Sequence, residues 1–223
     1  MSEKSFATVN PDEFIERLQG ALAPIRDDRT RAADATRRIM RALTASSASR
    51  DVLEPVVTQL VEIADRLDEH ALTSRYVPGG GLGLTAGDDL MVTHPLVGGA
   101  NPIAPPIRME RTADGIRGRA TYGVSYEGLP GCLHGGFIAM GFDSTLIFAA
   151  MLAGHPGVTG SLTIRFLATT PLHVEVVYDA AVMSIDGRRA TVTGRLTDPD
   201  GNVCAEAEGV FVLVSPKRFT APE

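Results

Sequence analysis

The sequence predicts an α+β domain: an antiparallel sheet of about six strands wrapped around one long buried helix, with a helical extension in front of it. Three observations lead there. The stretch over 135–153 is apolar nearly all round, as a helix enclosed by protein must be. Six segments with strand character accompany it, at 107–112, 116–124, 158–167, 174–185, 189–197 and 203–214; among them Val174, Val176, Tyr178, Ala180 and Val182 alternate as in a half-buried antiparallel strand. Residues 1–75 instead carry apolar positions at helical spacing. A curved sheet packed on a single helix satisfies both patterns.

Composition narrows the function classes. At 223 residues, 44% hydrophobic and 22% charged, the chain suits one large domain, or a core domain with a smaller extension. Lys+Arg number 21 against 27 Asp+Glu, a net charge of −6. Proteins that bind nucleic-acid phosphates carry a basic patch, so no nucleic-acid partner is expected. Two cysteines, Cys132 and Cys204, are too few for a disulfide framework and lack metal-site spacing. They fit a reducing cytoplasm, the expected location. The five histidines form no HxxxH or HExxH pattern, so no metal site is expected. Residues 1–14 hold no apolar run of the kind a secretory leader needs. The most apolar stretch, 137–153, is seventeen residues long and interrupted by Asp143, short of the roughly 20 apolar residues that span a bilayer. No membrane association is expected.

In chain order, residues 1–75 read as a helical extension. Asn10-Pro11-Asp12-Glu13 combines an N-cap, a proline at the first helical position and a glutamate at the third. Phe14, Leu18 and Leu22 mark one face until Pro24. A second helix over 30–43 places Ile39, Met40 and Leu43 inward and Arg31, Arg37, Arg38 and Arg41 on a solvated face. In the third, Leu53, Val56, Val57, Leu60, Ala64 and Leu67 recur at helical spacing. Residues 76–106 form a Gly/Pro-rich connecting segment. Its Gly81-Leu82-Gly83 lacks the flanking strand, helix and Gly-Lys-Ser/Thr of a phosphate loop. The α+β domain occupies 107–216, with turn signals at Asp114-Gly115, Asp186-Gly187 and Asp198-Pro199-Asp200-Gly201, and a helix stop at Gly154-His155-Pro156-Gly157.

The residues with chemical potential gather at the head of the apolar helix: Gly131-Cys132-Leu133-His134-Gly135-Gly136 and, two turns on, Asp143. A Gly-Gly pair opening a helix presents backbone N–H groups in front of the positive end of the helix dipole. That suits an anion or a developing oxyanion. Asp143 lies among Met140, Phe142, Leu146 and Ile147. A carboxylate there needs a partner or a chemical role, and a local hydrogen bond to backbone is the plainer alternative. His134 reads either as a helix-entry residue bonded to a local carbonyl or as a proton-transfer group. Cys132 lacks a third group to orient it as a nucleophile. Gly123-Val124-Ser125-Tyr126-Glu127-Gly128 has one residue too many for a serine nucleophile elbow, and no helix follows it.

His134-Gly135-Gly136, with an acid nine residues after the histidine, resembles the signature of hotdog-fold acyl-CoA thioesterases of the PaaI type. The longer stretch from Glu127 to Gly136, with Gly157-Val158-Thr159 opening the next strand, is similar to the thioesterase superfamily member 4/5 branch. The resemblance covers about residues 105–215. It implies a hotdog fold and hydrolysis of an acyl-CoA thioester to free acid and CoA, with coenzyme A part of the substrate and no separate cofactor. It puts Asp143 on the catalytic acid, as general base on water or as nucleophile. Gly135 falls on the backbone N–H that polarises the thioester carbonyl, beside His134. Thr159 falls on the hydroxyl that positions water or Asp143, and is expected from the partner chain of a homodimer with a shared site. Relatives are dimers or dimers of dimers.

Gly136 and Ser161 are expected to line the substrate. In some relatives an Asn stands six residues before the motif histidine; here that position is Gly128. Where the member 4/5 branch offers Asn and Lys to CoA, this chain has Arg165 and Leu167. Arg165, Arg188 and Arg189 are therefore the candidates for phosphate contacts, an exposed hairpin tip being the alternative reading of the last two. Two other functions stand beside hydrolysis. One is a non-catalytic acyl-CoA-binding protein of the same fold. The other is a hydratase or dehydratase, which needs a catalytic histidine paired with an acid in a different motif. The helical extension has three open roles: packing on the outer sheet surface, extending a dimer interface, or covering the acyl tunnel.

Overall fold

Asp114 and Gly115 turn the chain tightly enough for Arg111 to stand opposite Ile116 and for the Thr112 N–H to reach the Gly115 carbonyl at 3.0 Å. From such turns a computed structural model builds the domain; it describes residues 28–71, 93–105 and 107–213. Two helices, α1 (Asp28–Thr44) and α2 (Arg50–Asp68), precede strands β1 (Arg108–Arg111) and β2 (Ile116–Thr121). A short 3-10 turn (Val124–Tyr126) leads to α3 (Gly135–Leu152), followed by β3 (Gly157–Phe166), β4 (Glu175–Asp186), β5 (Arg189–Thr197) and β6 (Val203–Leu213). The helix expected after Asn10 lies outside the described residues.

The six strands form one antiparallel sheet in the order β1-β2-β4-β5-β6-β3. β3, the strand that follows the helix, therefore closes one edge rather than pairing with its chain neighbour β4. By length and composition α3 would pass for a membrane span. Here it is the core helix, in contact with five strands, β2 to β6.

Phe142 and Tyr178 meet edge to face at 5.3 Å, and Leu146, Val176, Val192 and Phe211 are fully buried around them. Gly141 makes this approach possible, because a Cβ there would stand 2.5 Å from the Tyr178 hydroxyl. That hydroxyl is 3.0 Å from the Tyr122 hydroxyl in the buried interior. Burial pushes both phenols above their usual range, so the pair stays protonated, one hydroxyl donating to the other. Gly141→Ala is expected to cost about 1–3 kcal/mol of stability, the usual price of overpacking a closed core. A lowered denaturation midpoint at unchanged slope would show it.

The extension departs from its expected orientation. Ala33 is the buried residue of α1, and Arg37 turns inward instead of joining a solvated face. Its guanidinium donates to the carbonyls of Gly99 at 2.6 Å, Asn101 at 2.9 Å and Ala104 at 3.2 Å. A planar fork with several donors can satisfy such a cluster of loop carbonyls, which hydrophobic periodicity does not reveal. The described part of the connecting segment, 93–105, contributes Leu96, Val97 and Ala104 to the interior. On α2, only Leu53, Val56 and Leu60 are half-buried; Val52, Val57, Val61, Ile63 and Leu67 remain exposed.

On the outer surface of the sheet, the register sets Arg117 opposite Asp179, Asp179 opposite Arg195, and Glu206 between Arg195 and Arg165. Charges of alternating sign thus cross five strands in one row, with Arg117 and Asp179 in contact at 2.6 Å.

Candidate active site

The head of α3 is held by its approach loop. The Glu127 carboxylate accepts the Gly131 N–H at 2.6 Å, the Leu133 N–H reaches the Thr170 carbonyl at 2.8 Å, and the His134 N–H reaches the Tyr126 carbonyl at 2.9 Å. His134 then caps the helix: its backbone is extended (φ −67, ψ 134) and its Nδ1 accepts the Gly136 N–H at 2.9 Å. Phe137 and Ile138 donate to the His134 carbonyl at 3.0 and 3.3 Å. Of the first-turn donors this leaves the Gly135 N–H, which has no protein acceptor among the described residues.

The His134 ring thus serves helix entry through Nδ1, accepting from an N–H rather than bonding a carbonyl. The Gly136 N–H is taken up by this cap.

A cavity of about 490 Å³ opens beside Gly135, walled by Leu129, Leu133, Ile138 and Phe166, with Cys132 at its side. The Phe166 ring lies against Gly135, 3.2 Å from where a Cβ would sit. Sequence reading missed Phe166. It is 56% exposed in the single chain, and its place over the helix head comes from sheet register rather than from any local motif. The Gly128 departure also has a packing reason: a Cβ there would come within 2.8 Å of the His134 Cα, so the loop closes on the helix only with glycine.

Asp143 is half-buried rather than enclosed by its apolar neighbours. It faces the β3 edge, where the Thr159 hydroxyl donates to its Oδ1 at 2.7 Å. Thr159 was expected from a partner chain; the structure places it with Asp143 of the same chain. The reason is topological, since the turn after α3 sends β3 back antiparallel alongside the helix.

Gly135 and Asp143 are eight residues apart on α3, about 12 Å along the axis at 1.5 Å per residue. An oxygen held by the Gly135 N–H sits beyond the end of the helix, farther still from Asp143.

The remaining expected substrate contacts are not brought to this site. β3 carries a bulge between Thr159 and Ser161, so that Thr159 pairs with Phe211 but Ser161 with Val210. Phe211 is fully buried on the α3 side, whereas Ser161 and Arg165 follow the opposite surface, and Arg165 stands 3.8 Å from Glu206. The extra residue of a bulge reverses the strand's alternation. Arg188 donates from Nε and Nη2 to the Leu213 carbonyl at 3.1 and 2.7 Å, tying the β4–β5 turn to β6. Arg189 pairs with Val212 in register and lies on the same outer surface. Among the described residues no three His, Cys, Asp or Glu side chains gather as a metal site.

Comparison with known proteins agrees with this architecture. The thioesterase superfamily profile matches residues 130–205, from the approach loop to β6. A crystal structure of a thioesterase superfamily protein superposes with a TM-score of 0.74 and 34% sequence identity, covering 83% of this chain and 95% of that one. That coverage exceeds the sheet and its helix, so part of the helical extension is shared. The acyl-coenzyme A thioesterase THEM4 of Xenopus laevis is 32% identical over 95 residues, 42% of this chain and 43% of that protein. THEM4 of Mus musculus is 30% identical over 97 residues, 43% of this chain and 42% of that protein. The chain thus matches less than half the length of these curated relatives. On the strength of the near full-length structural relative and the matched helix head, the chain belongs to the thioesterase superfamily and has its hotdog fold.

Proposed function

We propose that the protein is an acyl-CoA thioesterase that hydrolyses an acyl-CoA thioester to the free acid and coenzyme A, which enters as part of the substrate. The observation that carries this reading is the pair of prepared groups on α3. One is a backbone N–H left open at the helix head; the other is a carboxylate oriented by a hydroxyl at 2.7 Å. Hydrolysis needs both: a donor where negative charge develops on the carbonyl oxygen and a base that takes a proton from water. A protein that only binds acyl-CoA needs neither. A hydratase would use a histidine as acid or base, and His134 is engaged as the cap.

The two groups serve one thioester only across two chains. A water between a carboxylate and a carbonyl carbon bridges roughly 6 Å, too little for the span from Asp143 to its own helix head. The reading therefore puts Asp143 and Thr159 of one protomer opposite Gly135 of its partner in a homodimer. The β3 edge supports this. It is ten residues long and, among the described residues, has no partner strand on its outer side, and it carries exposed Val158 and Phe166. Such an edge is an aggregation hazard unless paired, and a two-fold axis would pair it with itself.

The test is steady-state hydrolysis of a panel of acyl-CoAs from acetyl to palmitoyl, with phenylacetyl-CoA. Turnover of one chain class is the expected result. A protein that binds these thioesters without turning any over would instead be a binder.

A further inference from the structure

A second cavity, of about 500 Å³, lies between α1 and the 3-10 turn, lined by Arg37, Arg38, Arg41, Ser125, Tyr126 and His173 together with Asp34. Its charge stands out against the chain. Three arginines face one aspartate there, and α1 as a whole carries five Arg against two Asp, in a protein of net charge −6. Arg37 is occupied by the loop carbonyls and by Asp34. Among the described residues Arg38 and Arg41 have no ion pair. Arg41 gains from its place in the last turn of the helix. Arg38 stands four residues after Asp34, which Arg37 already engages, and three residues before the like charge of Arg41, a spacing that weakens a helix unless an anion joins it.

The cavity adjoins the helix head. Tyr126, one of its walls, accepts the His134 N–H on its carbonyl at 2.9 Å and packs its ring against Phe137 at 4.8 Å. One hydrogen bond and one residue therefore separate this wall from Gly135. The three arginines expected to meet phosphate do not compete for the role: Arg165 and Arg189 lie on the outer sheet surface, and Arg188 holds the Leu213 carbonyl.

We infer that this cavity is the phosphate subsite for coenzyme A, resting on the thioesterase reading above. Arg38 and Arg41 hold the phosphates of the phosphoadenosine moiety, and the pantetheine arm passes Tyr126 to bring the thioester to Gly135. Guanidinium groups suit this task because they form charge-assisted, bidentate contacts with phosphate oxygens. The helical extension thereby acquires a role that its periodicity did not suggest.

The test compares wild type with the double variant Arg38→Ala/Arg41→Ala. Arg50→Ala/Arg66→Ala on α2 controls for the change in net charge. Both double variants remove exposed side chains and are checked by circular dichroism. CoA and pantetheine are titrated calorimetrically, and hydrolysis of an acyl-CoA is compared with that of the same acyl group on N-acetylcysteamine. The Arg38/Arg41 variant is expected to lose CoA affinity on the order of tenfold or more. The ratio of kcat/KM for acyl-CoA to that for the truncated thioester falls in parallel, and the control variant keeps both. Wild type that binds CoA and hydrolyses its thioesters, with an Arg38/Arg41 variant that does so equally well, overturns this inference alone. Wild type that does neither overturns the enzymatic reading and the inference together.

Discussion

Asp143→Asn is expected to lower kcat for acyl-CoA hydrolysis by about 10²- to 10⁴-fold, the usual worth of a positioned general base. Asparagine keeps the size of the side chain and a carbonyl oxygen that can still accept from the Thr159 hydroxyl, whose bond to Asp143 is 2.7 Å. Folding and substrate binding are therefore preserved, while the ability to take a proton from water is lost. Because a base acts only in the transition state, kcat and kcat/KM should fall together with KM little changed. A variant that retains wild-type kcat would remove Asp143 from the chemistry.

The second large effect is expected at Gly135, where Gly135→Pro deletes one hydrogen atom of consequence. Proline is accepted at the first position of a helix, and the preceding residue must then be extended. His134 already is, at φ −67 and ψ 134. The substitution thus leaves the helix intact and removes the free N–H. Loss of one oxyanion donor typically costs about 10²- to 10³-fold in kcat. Gly135→Ala is the matched control: it retains the N–H and adds only a methyl group 3.2 Å from the movable Phe166 ring. Activity in the alanine variant and its loss in the proline variant would assign the effect to the amide rather than to crowding.

Much of this site is legible in the sequence because its parts lie on one helix. The His-Gly-Gly run announces an open helix head, and eight residues of regular α-helix carry the argument from Gly135 to Asp143. The strands are legible for a similar reason: alternation in 174–182 and the Asp114-Gly115 turn are local signals, and observed boundaries lie within a few residues of the expected ones. What escapes is decided by single-residue events and by distant partners. The bulge after Thr159 sends Ser161 and Arg165 to the far surface, and no composition rule locates a bulge. Arg37 looks like any solvated arginine until the loop at 99–104 brings three carbonyls to it. The origin of Thr159 follows from strand order, because β3 runs beside α3 of its own chain; in the proposed dimer it is the helix head that comes from the partner.

That division of the site between protomers is tested most directly by complementation. Asp143→Asn and Gly135→Pro chains, each inactive alone, are mixed under conditions that allow subunit exchange, and acyl-CoA hydrolysis is measured. A mixed dimer contains one site with both substitutions and one with neither, so activity is expected to return in the mixture. If exchange is demonstrated and the mixture stays as inactive as its parents, Asp143 and Gly135 do not meet across the dimer, and the account of the site is wrong.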